Sequence, residues 1–274
     1  MKPNSILFFS SFVCGGALLF TTPAQARFHG DRANGTTERS GTYQSLHNGS
    51  GIFNSTVTRS PGSTTGSSTW TNANGGQGSH TFDNTWNEST GTGTHDSSTT
   101  YANGKTSSSQ GTLTKTGTGD YSYSGTHTGT NGNVTEVSKS VTNANGVKTV
   151  DSTYTNPTTG KSSTVDKTIT NANGSRQVDT TATGPNGKTV TSDQTFTKDG
   201  NGYTQTGTVT GPNGGVSTDN RNVSYTKNSD GTTTRTMNGS VTGPKGNTTP
   251  IGNSETYSKT YMPNPAPATS STTD

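Results

Sequence analysis

The stretch that decides the fold is NVTEVSKSVTNANGVKTVDSTYTNPTTG, from Asn133 to Gly160, followed at once by KSSTVDKTITNANGSRQVDTTATGPNG, from Lys161 to Gly187. The two segments are copies of one unit, a repeat of about 28 residues that runs through most of the chain. Each copy holds two Thr-rich runs, and each run ends in a Gly-containing turn. Asn145-Gly146 and Asn173-Gly174 suit two-residue hairpin turns, where φ must be positive. Pro185-Asn186-Gly187 and Pro212-Asn213-Gly214 suit a type I turn followed by a glycine bulge, since Pro presets φ and Gly accepts the left-handed position.

Between the turns, Thr, Val and Tyr dominate, and these residues favour strands. Their apolar members sit at even spacing and so share one face: Val137 with Val141, Val150 with Tyr154, Val165 with Ile169, Val178 with Ala182. The turns then fix the register. Asn145-Gly146 pairs Val141 with Val150 and Val137 with Tyr154. Asn173-Gly174 pairs Ile169 with Val178 and Val165 with Ala182. Pro185-Asn186-Gly187 pairs Ala182 with Val190, and Pro212-Asn213-Gly214 pairs Tyr203 with Val223. Asp199-Gly200 is expected to pair Phe196 with Tyr203 and Val190 with Val209. Thr159-Gly160, read as the turn itself, pairs Tyr154 with Val165. A slip of one residue would put partners on opposite faces, so the agreement among turns specifies one continuous apolar face. The expected fold is all-β, an antiparallel meander of β-hairpin repeats. A β-solenoid with one coil per repeat is the competing architecture.

The opposite face is a grid of hydroxyls. Thr189, Thr191, Thr195 and Thr197 fall on one run, and Thr204, Thr206, Thr208 and Thr210 on the next. These eight are the candidate binding face, for carbohydrate or, by their T-x-T form, for ice. Asp151, Asp166, Asp179 and Asp193 recur on the same side. The apolar face must be covered, so the sheet has to roll up, fold over or pair with another molecule. Self-association through that face is therefore an expected partnership. An outer-membrane barrel is not expected, because Lys167, Ser192 and Gln194 interrupt the apolar sites.

Outward from the repeats, the ends differ. Residues 1–26 read as a signal peptide: Lys2, an apolar stretch from Ile6 to Phe20, and the small-x-small site Ala24-Gln25-Ala26. A polar lead-in spans 27–49, the hairpin repeat domain 50–261, and a flexible Pro-, Ala-, Ser- and Thr-rich tail 262–274. The expected destination is secreted: extracellular, cell surface or periplasm. No later stretch is apolar enough for a helical membrane span.

Composition excludes several classes of function. Cys14 is the only cysteine and lies in the leader, so the mature chain has neither disulfides nor thiolate chemistry. The net charge is +3 with charges spread along the sequence, so no basic patch is expected of the kind that nucleic acid or an anionic membrane would require. Apolar residues make up only 21%, so order must lean on backbone ladders and on cooperation between repeats. His29, His47, His80, His95 and His127 lack metal-ligand spacing and read as solvated. No nucleophile elbow or phosphate-cradling loop occurs, so no catalytic, metal or cofactor residue is assigned, and the chain is expected not to be an enzyme. Trp70, Trp86, Tyr121 and Tyr123 are the aromatics best suited to stacking on sugars. The functional expectation is a secreted structural or adhesive repeat protein of the cell surface or extracellular matrix. A surface or polysaccharide partner fits it. The alternative is an extracellular binding module that uses the flat Thr face.

Overall fold

The computed structural model describes residues 34–45 and 49–263. The expected leader at 1–26, the part of the expected tail from 264 onward, His29 and His47 lie outside the described residues. Sixteen strands follow one another: β1 Gly35–Ser45, β2 Gly49–Ser60, β3 Ser63–Asn72, β4 Gln77–Thr85, β5 Thr92–Thr100, β6 Thr106–Lys115, β7 Tyr121–Thr128, β8 Val134–Ala144, β9 Val147–Thr155, β10 Ser162–Ala172, β11 Ser175–Thr183, β12 Thr189–Asp199, β13 Gly202–Thr210, β14 Val216–Lys227, β15 Thr233–Thr242 and β16 Thr248–Pro263. Each pairs antiparallel with the next in sequence. β1 then pairs antiparallel with β16, from Gly35 opposite Pro263 to Ser45 opposite Asn253, and the sheet closes into a barrel. The meander is formed as the turns specify. The solenoid is not, since stacked coils would pair in parallel between repeats, and every ladder here is antiparallel.

Most registers follow the turn chemistry. Val141 faces Val150 and Val137 faces Tyr154. Ile169 faces Val178, Ala182 faces both Val165 and Val190, and Tyr203 faces Val223. Asn145 and Asn173 adopt φ of 52° and 50°, and the glycines after them 79° and 77°, as this turn demands.

Two registers differ by two residues. The β12–β13 turn centres on Gly200-Asn201, not on Asp199-Gly200. Asp199 therefore faces Gly202, Phe196 faces Gln205, and Val209 faces Ser192. This register sets Gly202 against the β14 backbone at Val223, where a Cβ would not fit. In the β9–β10 connection, Tyr154 faces Ser163 rather than Val165. The Asn156 side chain accepts from the amides of Thr158 and Thr159 (2.9 and 3.0 Å), and its backbone N–H donates to Lys161 (2.9 Å), so the loop is longer than Thr159-Gly160 alone. A shift of two preserves the face, so neither difference moves an apolar residue across the wall.

Accumulated around the ring, the registers amount to a shear of about 20 residues for sixteen strands. With ordinary strand spacing and rise, this gives a tilt of about 40° and, for a circular section, a backbone radius of about 16 Å. Side chains converge on the concave side of a closed sheet and diverge on the convex side. The apolar face is the buried or half-buried one, with Val223 1%, Leu113 2%, Val141 3% and Ile169 4% exposed, so it lines the lumen. Of the three ways to cover that face, rolling up is the one adopted.

Two close approaches show why this wall needs glycine. Trp70 lies across Gly78 and Phe82 across Gly66, directly opposite on β3 and β4, and a Cβ at either glycine would enter the ring. Such cross-strand aromatic–glycine pairs permit the curvature that closure requires. β1, which completes the ring, falls inside 27–49, where the sequence pattern is weakest.

Candidate functional site

Strict alternation sorts the charges of the barrel. Every lysine and arginine within a strand takes a concave position, including Arg39, Lys139, Lys148, Lys167, Arg176, Arg221 and Arg235. Most strand carboxylates take convex positions: Glu38, Asp83, Asp96, Glu136, Asp151, Asp166, Asp179, Asp193 and Asp199. Asp219 and Glu255 are the concave exceptions, and each is tied to an arginine. Arg221 Nη2 lies 2.7 Å from Asp219, and Arg39 Nη2 lies 2.6 Å from Glu255. Arg39 also rests on the ring of Tyr257, 3.6 Å from its centroid. The charge that looks dispersed along the sequence is thus segregated across the wall, with a cationic lumen and an acidic, hydroxylated exterior.

The eight candidate threonines do come together. Thr191 faces Thr210, Thr195 faces Thr206, and Thr197 faces Thr204, all on the convex side of β12 and β13. Thr189 sits beyond them opposite Thr183, and Thr208 faces Asp193, so a carboxylate breaks the array. The surface is not flat. A ring of sixteen strands turns by about 22° per strand, so ranks of hydroxyls curve away from any planar lattice. Elsewhere on the exterior, hydroxyls ladder directly across strands, as in Thr36–Thr58 (3.0 Å), Ser175–Thr197 (3.1 Å) and Thr234–Thr256 (2.9 Å). Asp151 stands opposite Asp166, and Asp179 opposite Asp193, pairs that repel. Among the described residues, no group of three or more side chains is arranged to hold a metal ion.

The aromatics singled out for sugar stacking point the other way. Trp70, Tyr121 and Tyr123 occupy concave positions, and Trp86 meets Tyr121 at 6.1 Å. His80 and His95 are concave as well, which corrects their reading as solvated. His80 Nδ1 pairs with the Thr99 hydroxyl at 2.9 Å, and His95 Nδ1 with Asn84 Oδ1 at 2.6 Å. Burial holds both imidazoles below the usual range, so they are neutral at neutral pH. His127 is concave too, with Nδ1 2.9 Å from the Ser109 hydroxyl; it is the most exposed of the three, and its partial burial also lowers it.

Sequence reasoning placed Lys167 on the apolar face but did not bring it together with Lys139, Lys148 and Arg176, and the four share the concave face of β8–β11. Burial lowers all four, and Lys148 falls to about 8, with Arg176 adding to the effect. Lys139 feels Lys167, and Lys167 feels Arg176, so the four act as one electrostatic unit. A signal was present in the sequence. Lys139 lies midway between Val137 and Val141, Lys167 midway between Val165 and Ile169, while Lys148 and Arg176 come two residues before Val150 and Val178. Even spacing from a core residue places a side chain on the core face. Compared with known protein families, curated proteins and solved structures, the chain matches none.

Proposed function

We propose that this chain is a secreted structural or adhesive protein of the cell surface or extracellular matrix. The observation that carries the reading is the convex wall. Away from the rims it is built, apart from Ile52 and Gly252, of Thr, Ser, Asn, Gln, Asp and Glu, on a closed sheet that leaves no edge strand to pair with a neighbour. It has no apolar band of the kind that a lipid-facing barrel wall carries. Such a surface stays wet and hydrogen-bonds readily to hydroxylated polymers. The absence of a catalytic constellation from the sequence agrees with a non-enzymatic role. Self-association through the apolar face loses its basis, because that face lines the lumen. Contacts between copies fall to the convex wall or the rims. Within the binding-module alternative, the curvature of the threonine array favours a flexible glycan over a planar ice lattice.

The test is fractionation of cells that express the full chain with its own leader, followed by co-sedimentation with isolated matrix material. The expected result is protein at the surface or in the medium that sediments with matrix. Replacing Thr195, Thr197, Thr204 and Thr206 together by Lys weakens that sedimentation. Protein that remains inside the cell, or that ignores matrix entirely, would overturn the reading.

A further inference from the structure

We propose that the lumen wall of β8–β11 is a binding site for an anionic polysaccharide, held by Lys139, Lys148, Lys167 and Arg176. This stands independently of any role for the convex surface. The first argument is charge complementarity. Four cations share the concave face of four adjacent strands, while Glu136, Asp151, Asp166 and Asp179 of the same strands take convex positions. Neighbouring strands lie about 4.8 Å apart, so the cations spread over roughly 15 Å of wall. That spread matches charges repeated along a chain better than a single small ion. A concave wall of one sign also focuses its field into the lumen.

The second argument is what lies between the cations. Ser152 is directly opposite Lys139, Asn171 opposite Arg176, and Thr180 opposite Lys167. Along each strand the cations are set among Val and Ile, and these cross-strand hydroxyl and amide partners beside them suit the hydroxyls and acid groups of a uronate or sulfated sugar. Single-stranded nucleic acid instead binds on files of open aromatic faces. Here Tyr123 and Tyr154 flank Lys139, each 5.9 Å from its Nζ, so both rings are engaged by the cation. For a circular section, a radius of about 16 Å, less the side chains, would admit a linear glycan.

The test uses the full-length protein and three labelled probes: dextran sulfate, neutral dextran of the same length, and single-stranded oligothymidylate. The expected outcome is binding of dextran sulfate that weakens as salt rises, and none of neutral dextran. Substituting K139Q, K148Q, K167Q and R176Q together lowers that affinity at least about tenfold. The loop variant K105Q, K161Q, K188Q, K245Q loses the same formal charge and stays within about twofold of the parent. Equal losses in the two variants, equal binding of neutral dextran, or tighter binding of oligothymidylate would each overturn the proposal. Should the lumen variant fail to fold, acetylation mapping of the unmodified protein decides the matter. Dextran sulfate shields Lys148 and Lys167 but not Lys105 or Lys188. Lack of shielding, or equal shielding of all four lysines, counts against the site.

Discussion

Joining β1 to β16 with a covalent bond tests the closure of the barrel directly. Ser40 and Ser258 face each other on the convex side, with their hydroxyls 3.3 Å apart, although 218 residues separate them in sequence. The only native cysteine is Cys14, so the variant S40C/S258C made together with Cys14→Ser carries one pair. Cross-strand partners of this kind lie within disulfide range after small adjustments. In the chain-entropy account, closing a loop of this length removes unfolded-state freedom worth about 5 kcal/mol, an upper bound if the native wall must strain to accept the bond. The assay is non-reducing electrophoresis at low protein concentration, peptide mapping of the cross-link, and urea unfolding of oxidised and reduced forms. The expected result is a monomeric, fast-migrating species whose unfolding midpoint rises on oxidation. The control is S175C/T197C, a pair only 22 residues apart across β11 and β12. If the control cross-links and S40C/S258C does not, the sheet is open at that seam. The lumen, the charge segregation and the covered apolar face would all then need another explanation.

Other perturbations probe the wall. Leu113→Ala removes a side chain that is 2% exposed and is expected to cost about 2–5 kcal/mol, whereas Thr204→Ala on the convex side costs under about 1 kcal/mol, both by urea unfolding. Gly78→Val drives a branched side chain into the ring of Trp70, destabilises by about 1–3 kcal/mol and shifts the tryptophan emission to the red. Lys148, held near 8, is charged in both folded and unfolded chains at neutral pH, and its burial then opposes folding. Between about pH 8 and its ordinary value near 10.5 the unfolded chain binds more protons, so stability rises with pH across that window. Lys139 and Lys167 are lowered too and act in the same direction, while Tyr123 and Tyr154, raised by burial, act against it above about pH 10. The unfolding midpoint is therefore expected to increase from pH 7 to 9.5 and to increase less in Lys148→Met. A midpoint that falls throughout refutes the assignment.

What the sequence disclosed and what it hid have the same physical origin. Asn145-Gly146 and Asn173-Gly174 fix local geometry through φ, so the hairpins and the shared apolar face were legible from a single chain. The two misread turns failed where chemistry was ambiguous. At Asp199-Gly200-Asn201-Gly202, three adjacent residue pairs can each supply a turn, and only the close approach of Gly202 to the β14 backbone selects one. Closure was hidden because the β1–β16 ladder, and the contacts of Arg39 with Glu255 and Tyr257 across it, form only when the two ends of the chain are brought together. The cationic wall was hidden for a different reason. Along the chain, Lys139, Lys148, Lys167 and Arg176 are interspersed with Glu136, Asp151, Asp166 and Asp179, so a linear window that spans them averages toward neutrality. A strand has period two, and a closed sheet has an inside and an outside, so the same charges become two surfaces of opposite sign. In a meander barrel, net charge therefore says little about partners. The informative quantity is the charge at each parity of each strand, measured from a core residue such as Val141 or Ile169.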